Sequence, residues 1–266
     1  MSEVLLSYKN IVKEFPTKRQ FLTGKVKKVL RAVGDVSVEL LSGETLGVVG
    51  ESGSGKSTLG EILGDLQRPT SGVVEYRGRD VRSLSDKDYG VFRRNVQYIF
   101  QDPKGSMNPN ARIEAILVEP LITLKLEKDP ARRSALAKEM ISAVGLEESV
   151  LQKFPTELSG GQCQRIAIAR ALITRPEIIV CDEAVSALDV SVQAQILNLL
   201  KDMQRRFGVA YLFISHDIGV VNFMADRVMV MYHGEIVERG SAEAVLLHPT
   251  QDYTRRLLEA SFAKRD

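Results

Sequence analysis

Residues 50–57 read Gly-Glu-Ser-Gly-Ser-Gly-Lys-Ser, and this octet narrows what the chain can be more than any other segment. It fits the spacing G-x-x-x-x-G-K-[ST], in which glycines let the backbone wrap closely enough for successive N–H groups to face phosphate oxygens. The flanks are those that such a loop requires. Leu46-Gly47-Val48-Val49 ahead of it is an apolar run of strand type, and Lys56 to Leu66 behind it takes helical spacing. The positive start of that helix adds to the loop formed by Gly50, Glu51, Ser52, Gly53, Ser54, Gly55 and, past the lysine, Thr58. Lys56 is expected to reach the β- and γ-phosphates, and Ser57 to offer its hydroxyl to Mg²⁺. A chance glycine loop, the competing reading, gives no reason for a strand before it and a helix after it.

Two more segments point to the same chemistry. Glu177-Ile178-Ile179-Val180-Cys181-Asp182-Glu183 is an apolar strand that delivers two carboxylates at its C-terminal end. In open α/β sheets, ligands gather at the carboxyl ends of the strands. Asp182 is therefore expected near Mg²⁺ and Glu183 near the attacking water. On their own, two acids after a strand are more often a solvated turn. Val209 to Ser215 is another apolar strand, ending at His216-Asp217. A lone histidine is more often structural, but this one is expected at the sheet edge that carries Gly50, Asp182 and Glu183. Phosphoryl transfer needs positioning and charge neutralisation more than covalent chemistry. Phosphate-cradling amides, one lysine, Mg²⁺ and a carboxylate beside water suit hydrolysis better than transfer to an organic acceptor.

Composition sets the outer limits. At 266 residues with 44% hydrophobic and 26% charged content, the chain has the make-up of an ordinary globular protein. A net charge of +2 argues neither for nor against a polyanionic partner. Apolar runs such as Ile178 to Cys181 and Val228 to Tyr232 fall far short of the ~18 residues of a membrane span. Met1-Ser2-Glu3-Val4 carries no basic segment leading into an apolar stretch, so no secretory signal is expected. Cys163 and Cys181 are the two cysteines, too few for a disulfide framework and consistent with a reducing cytosol. Lys18, Arg19, Lys25, Lys27, Lys28 and Arg31 make a basic run without an acid from Pro16 to Arg31. It reads as a solvated hairpin or loop, with contact to lipid headgroups or a membrane partner as the alternative.

Residues 3–9 and 36–41 read as strands. From about Asp102 to Pro155 helical stretches dominate, Ile113 to Leu126 and then Pro130 to Val144, and they interrupt the alternation of strand and helix. Afterwards Gln162 to Ile173 looks helical, Ile178 to Cys181 is a strand, Val190 to Phe207 a helix and Val209 to Ser215 a strand. Val228 to Tyr232 and Glu235 to Val237 flank a hairpin-like turn at His233-Gly234. Strand–helix–strand units with continuous apolar strands predict a mostly parallel sheet covered on both faces. The division expected is a core of residues 1–101 with 164–266 and an inserted helical lobe, residues 102–163. No internal repeat or low-complexity tract is present.

Leu158-Ser159-Gly160-Gly161-Gln162 resembles the signature of ABC ATPases, and the resemblance spans nearly the whole chain. Gln101 in Tyr98-Ile99-Phe100-Gln101-Asp102-Pro103 is similar to the Q-loop, Ser186-Ala187-Leu188-Asp189 to the D-loop, and Phe213-Ile214-Ser215-His216-Asp217 to the histidine switch. The resemblance implies an α/β fold: a RecA-like, mostly parallel core with an N-terminal antiparallel β portion and an inserted α-helical lobe. It implies ATP and Mg²⁺ as ligands. Gln101 would sense the γ-phosphate and touch the metal, His216 would complete the site, and Asp189 would stand at the nucleotide. Phe15 falls where the family places an aromatic on adenine; a core phenylalanine at a strand end is the competing reading. Two subunits would meet head to tail, with Ser159, Gly160, Gly161 and Gln162 of each capping the γ-phosphate held by the other. A helix start with exposed amides but no nucleotide of its own suits that arrangement.

A narrower resemblance rests on Phe100-Gln101-Asp102-Pro103 with Ser106-Met107-Asn108-Pro109, on Ser186 through Gln195, and on His248-Pro249 followed by Tyr253-Thr254-Arg255-Arg256-Leu257-Leu258. These are similar to the ATP-binding subunits of oligopeptide, dipeptide and nickel importers. That implies a peripheral protein on the cytoplasmic face of the inner membrane. Its partners would be two multi-span permease subunits, a second ATPase subunit (a sibling rather than a copy) and, indirectly, an extracytoplasmic binding protein, with no nucleic acid. Peptide is the expected solute and nickel or a metal chelate the alternative. A non-transport ABC ATPase of DNA or translation processes, and the ATPase half of an exporter, are the rival classes. The chain departs from the pattern at Ala184-Val185, where proline commonly follows the glutamate, and at Cys163, where a basic residue is common. With both cysteines inside motifs, no iron–sulfur cluster and no zinc site are expected.

Overall fold

The computed structural model describes residues 3–19 and 26–262. In chain order the strands and helices are β1 (Val4–Arg19), β2 (Val26–Leu41), β3 (Thr45–Val49), α1 (Lys56–Leu63), β4 (Ser71–Tyr76), β5 (Arg79–Asp80), α2 (Asp86–Asn95), β6 (Val96–Ile99), α3 (Ile113–Thr123), α4 (Pro130–Ala143), α5 (Gly160–Leu172), β7 (Ile178–Asp182), α6 (Val190–Phe207), β8 (Ala210–Ile214), α7 (Ile218–Met224), β9 (Arg227–Tyr232), β10 (Glu235–Ser241), α8 (Ala242–Leu247) and α9 (Asp252–Phe262). Contacts divide the chain into two units, Met1–Leu84 with Leu212–Asp266, and Ser85–Tyr211. Among the described residues no helix is long and apolar enough to cross a membrane.

In the first unit, β2-β1-β4-β5 form an antiparallel sheet. Leu5, Leu6, Tyr8, Ile11, Val33, Val36 and Val38 bury its inner half. β1 and β2 are each 16 residues long, much longer than the expected strands at 3–9 and 36–41. Beyond Ile11 the alternation of apolar residues fades, so no sequence pattern marks the outer half. Backbone pairing still continues there through Glu14↔Arg31, Phe15↔Leu30 and Pro16↔Val29. Of the basic run, Lys25 and the side chains of Lys18, Arg19, Lys27 and Lys28 lie outside the described residues; Arg31 is exposed.

β3 is buried along its whole length and pairs in parallel with β9, from Leu46↔Arg227 to Val49↔Val230. β8 is its other neighbour, and the Ser215 amide, just past β8, donates to the Val48 carbonyl at 3.1 Å. β10 returns antiparallel to β9 through His233 and Gly234, whose φ values of 46° and 86° are those of the tight hairpin turn expected there. α1 stops at Leu63 and not at Leu66, because Gly64 takes the C-cap and Asp65 turns left-handed at φ 55°. α9 is anchored by Glu238 of β10, whose carboxylate accepts from the Thr250 amide and hydroxyl at 2.7 and 2.8 Å and from the Gln251 amide at 3.3 Å.

In the second unit, β6 and β7 pair in parallel, with Val96 opposite Ile178 and Ile99 opposite Cys181. Every residue of β7 is buried. α3, α4 and α5 pack on one another through Ile113, Leu117, Leu121, Ala137, Ile141, Ile166 and Ile168. The stretch expected as a lobe, 102–163, lies within this unit. α4 begins as its sequence predicts, with Pro130 in the first turn and Asp129 capping the Ala131 amide at 3.0 Å. α6 keeps the expected bounds because Asp189 caps its start and Gly208, at φ 69°, closes its end.

Candidate active site

The loop Gly50–Ser57 links β3 to α1 in the first unit. Gly55 is the N-cap of α1 at φ 104°, and no side chain caps the helix. A Cβ at Gly55 would run into the backbone carbonyl of Ala32, so both the twist and the close approach demand glycine. The Lys56 ammonium is buried, at 4% exposure, and donates to the Gly50 and Glu51 carbonyls at 2.9 and 2.8 Å. Ser54 Oγ is buried without a hydrogen-bond partner. The Ser54 carbonyl accepts from the Gly234 amide at 2.9 Å, and the Tyr253 hydroxyl of α9 accepts from the Glu51 amide at 3.3 Å. Tyr253 also packs on Tyr232, their ring centres 4.2 Å apart. A helix start without a side-chain cap, an orphan hydroxyl and a buried ammonium that donates to loop carbonyls all fit a polyphosphate. Glu51, Ser52, Gly53 and Ser57 are exposed and Thr58 is half-buried.

His216 is exposed directly after β8. The Asp217 amide donates to Ser215 Oγ at 3.0 Å, and the Asp217 carboxylate accepts from the Gly219 and Val220 amides at 2.7 and 3.3 Å. The β3–β8 adjacency therefore puts His216 and Gly50 at the ends of neighbouring strands. Phe15 is half-buried in β1, with Lys13 Nζ 5.1 Å from its ring centre.

In the second unit the parallel register does the positioning. Ile99 lies opposite Cys181, so Gln101 and Glu183, each two residues on, leave the same edge, and Gln101 Nε2 donates to Glu183 Oε2 at 3.0 Å. Glu183 adopts φ 47°, a conformation that non-glycine residues hold mainly where surrounding structure enforces it. Its carbonyl accepts from the Ser186 amide at 3.1 Å and the Ser186 hydroxyl at 3.0 Å. Asp182 is 7% exposed, and its Oδ2 accepts from the Tyr98 hydroxyl at 2.9 Å. Burial and the neighbouring Asp182 charge push the Cys181 thiol far above its ordinary value, which leaves it inert.

The signature differs from expectation in one respect. α5 starts at Gly160, not Gln162, because Ser159 caps it: Ser159 Oγ accepts from the Gln162 amide at 3.3 Å and Gln162 Oε1 accepts from the Ser159 amide at 3.1 Å. Gly160 and Gly161 thus sit in the first turn, and Ser159 and Gly160 are exposed. Cys163 faces inward, its thiol 3.7 Å from the Pro155 carbonyl, so it fills the core where a basic residue would project. Asp189 Oδ1 accepts from the Val192 amide at 2.9 Å, and Val190 beside it is 84% exposed.

Ser57 in the first unit, and Asp182 and Gln101 in the second, each carry a hard oxygen donor of the kind Mg²⁺ takes. Such a site needs no cluster of acids or histidines, and among the described residues no group of three or more His, Cys, Asp or Glu could hold a metal ion. Sequence reasoning missed Tyr98 and Tyr253. They meet their partners across 84 and 202 residues, so no local spacing announces them.

Comparison with known proteins agrees with these motifs. The profile of the ABC transporter family matches residues 33–186. The chain is 45% identical to a probable peptide ABC transporter ATP-binding protein of Sinorhizobium fredii, across 98% of this chain and 73% of that protein. It is 43% identical to the dipeptide transport ATP-binding protein DppF of Escherichia coli, across 98% and 77%. Among solved structures, the dimeric ATP-binding cassette MJ0796 bound to ADP and phosphate superposes with a TM-score of 0.78 at 30% identity, covering 90% of this chain and 99% of that one. CbiO1 of Clostridium perfringens, 22% identical, shares the fold with a TM-score of 0.76 over 99% of this chain and all of that one. With its phosphate loop, its Asp-Glu strand and its capped signature helix, the chain belongs to the ABC transporter family, as one of its ATP-hydrolysing cassettes.

Proposed function

We propose that this cassette hydrolyses Mg²⁺-bound ATP to drive import of peptides through a membrane transporter. The observation that carries the catalytic part is the Gln101–Glu183 hydrogen bond of 3.0 Å, which ties a neutral amide to the carboxylate best suited to take a proton from water. Glu183 serves as general base. Lys56 leaves its loop carbonyls to neutralise phosphate charge, and the amides from Gly53 to Thr58 cradle the phosphates. Ser57 and Asp182 hold the metal with Gln101, and His216 completes the site. The metal, when bound, neutralises charge building on the β- and γ-phosphates.

Ser159 through Gln162 act on the nucleotide of a second subunit. Their amides start a helix whose cap is already satisfied from within, so the exposed face of that first turn is available to an anion. Asp189 and the exposed Val190 border the same junction. Import of peptides is supported by the relatives, which are named for peptide and dipeptide transport at 43–45% identity over nearly the whole chain. The protein would work peripherally on the cytoplasmic face, beneath two permease subunits and beside a sibling ATPase, fed by an extracytoplasmic binding protein.

The test is affinity isolation of the tagged chain from gently solubilised native membranes, followed by mass spectrometry and peptide uptake in cells lacking the chain. Two multi-span proteins, a sibling ATPase and loss of peptide uptake are expected. DNA- or ribosome-associated factors without any membrane protein would overturn the transport reading and leave the ATPase intact.

A further inference from the structure

We propose that Tyr98 is a positioning residue for the magnesium carboxylate, its hydroxyl fixing the plane of Asp182. The inference rests on the reading of Asp182 as the metal's carboxylate and deepens it. In the β6–β7 register Tyr98 lies opposite Val180, and side chains alternate along a strand, so Tyr98, Val180 and Asp182 share one face. Asp182 stands one step of that face beyond Val180, which is the reach of a tyrosine ring. The hydroxyl meets Oδ2 at 2.9 Å. Its approach is constrained from behind, since the Tyr98 ring packs on Phe100 with centres 4.6 Å apart. The backbone of Tyr98 is held in the parallel ladder.

A carboxylate at the end of a strand rotates about one bond to the backbone and one to its carboxyl group. A donor on Oδ2 removes the second of these freedoms and sets the direction of Oδ1. Metal-ligating carboxylates are commonly supported in this way, and loss of the support costs about 10- to 100-fold in metal affinity or activity. Phenylalanine at position 98 would keep the ring, its packing on Phe100 and the strand, and would remove the donor alone. The effect should therefore fall on the metal and not on the fold.

The experiment measures Mn²⁺ binding by electron paramagnetic resonance to the full chain loaded with a non-hydrolysable ATP analogue. Three proteins are compared: the unaltered chain, Tyr98→Phe and Asp182→Asn. Thermal unfolding and analogue affinity without divalent cation serve as controls. Tyr98→Phe is expected to weaken Mn²⁺ by about tenfold and to raise the Mg²⁺ concentration needed for half-maximal ATPase by the same factor, with the controls unmoved. If Asp182→Asn weakens Mn²⁺ and Tyr98→Phe does not, the hydroxyl is only satisfying itself on a nearby carboxylate and the proposal falls alone. If neither variant weakens Mn²⁺, Asp182 is not the metal's carboxylate, and the proposal falls with the reading beneath it.

Discussion

Gln101 and Glu183 are joined side chain to side chain at 3.0 Å although 82 residues separate them. The parallel pairing of β6 with β7 is what allows this, because Ile99 lies opposite Cys181 and Gln101 and Glu183 each follow two residues later. With its Nε2 committed to Glu183, Gln101 has its amide oxygen left for a cation. If, as proposed, Mg²⁺ takes that oxygen, metal occupancy would also alter the hold on Glu183.

Glu183→Gln tests the carboxylate with little disturbance of this geometry, because glutamine offers the same acceptor oxygen to Gln101. ATP binding should persist, since the phosphate cradle is formed by other residues. Turnover should fall by about 10²-fold or more, roughly 3 kcal/mol of barrier. Phosphate release under saturating ATP, paired with nucleotide affinity, separates the two effects. Near-normal hydrolysis would remove Glu183 from its role.

Two glycines of the phosphate loop should respond differently to alanine. Gly53, at φ 80°, has open space where a Cβ would stand, so Gly53→Ala meets only the left-handed backbone cost of about 1–2 kcal/mol. Gly55, at φ 104°, adds a collision with the Ala32 carbonyl and should lose roughly 3 kcal/mol or more, together with ATP binding. Denaturant unfolding of both variants decides the matter. Equal losses would mean that the Ala32 strand yields and the collision is absorbed.

The parts of the chain legible in its sequence were those whose physics is local. The phosphate loop carries its own glycines and lysine. α6 announces both ends, with Asp189 before it and Gly208 after it, and β7 is an unbroken apolar run because it is buried throughout. In the sequence α5 looks two residues shorter than it is, because Gly160 and Gly161 suggest a loop, whereas the reciprocal Ser159–Gln162 cap makes them a first turn. α2 shows no apolar stripe, since Phe92 is its one buried residue, and β6 is only four residues long. α7 and α8, like the short strands β4 and β5, are too short for a sequence pattern to mark them. The outer halves of β1 and β2 have no apolar alternation to betray them. Tyr98 beside Asp182, and Tyr253 beside Glu51, depend on register between distant segments, which no window of sequence contains.

The hydroxyl of Ser159 holds a helix start, and in the proposed function it also faces a phosphate. Substitution can part the two roles. Ser159→Ala removes the cap and should cost about 1 kcal/mol of stability. Ser159→Asp restores a good cap, so stability should stay within about 0.5 kcal/mol of the parent, yet it sets a carboxylate against the anion and should abolish ATPase activity. Full activity in Ser159→Asp would show that no phosphate comes near this serine.

Glu238 gives the fold a specific acid sensitivity. Burial works to raise its carboxyl, but donated hydrogen bonds, those of Thr250 and Gln251 among them, more than offset this and hold it below the ordinary glutamate value. A depressed carboxyl binds its proton less readily in the folded chain than in the unfolded one. Its contribution to stability is therefore complete above the unfolded value of about pH 4.3 and is lost as pH falls through the lower, folded value. Glu238→Gln should cost about 1 kcal/mol near neutral pH, a modest figure because the group is partly exposed. Urea unfolding of parent and variant at about pH 7, 5 and 3.5 should show that difference hold and then shrink at the last step. A difference that stays constant down to the lowest pH would mean that the carboxylate's charge is irrelevant and that the shape of the side chain alone anchors α9 to β10.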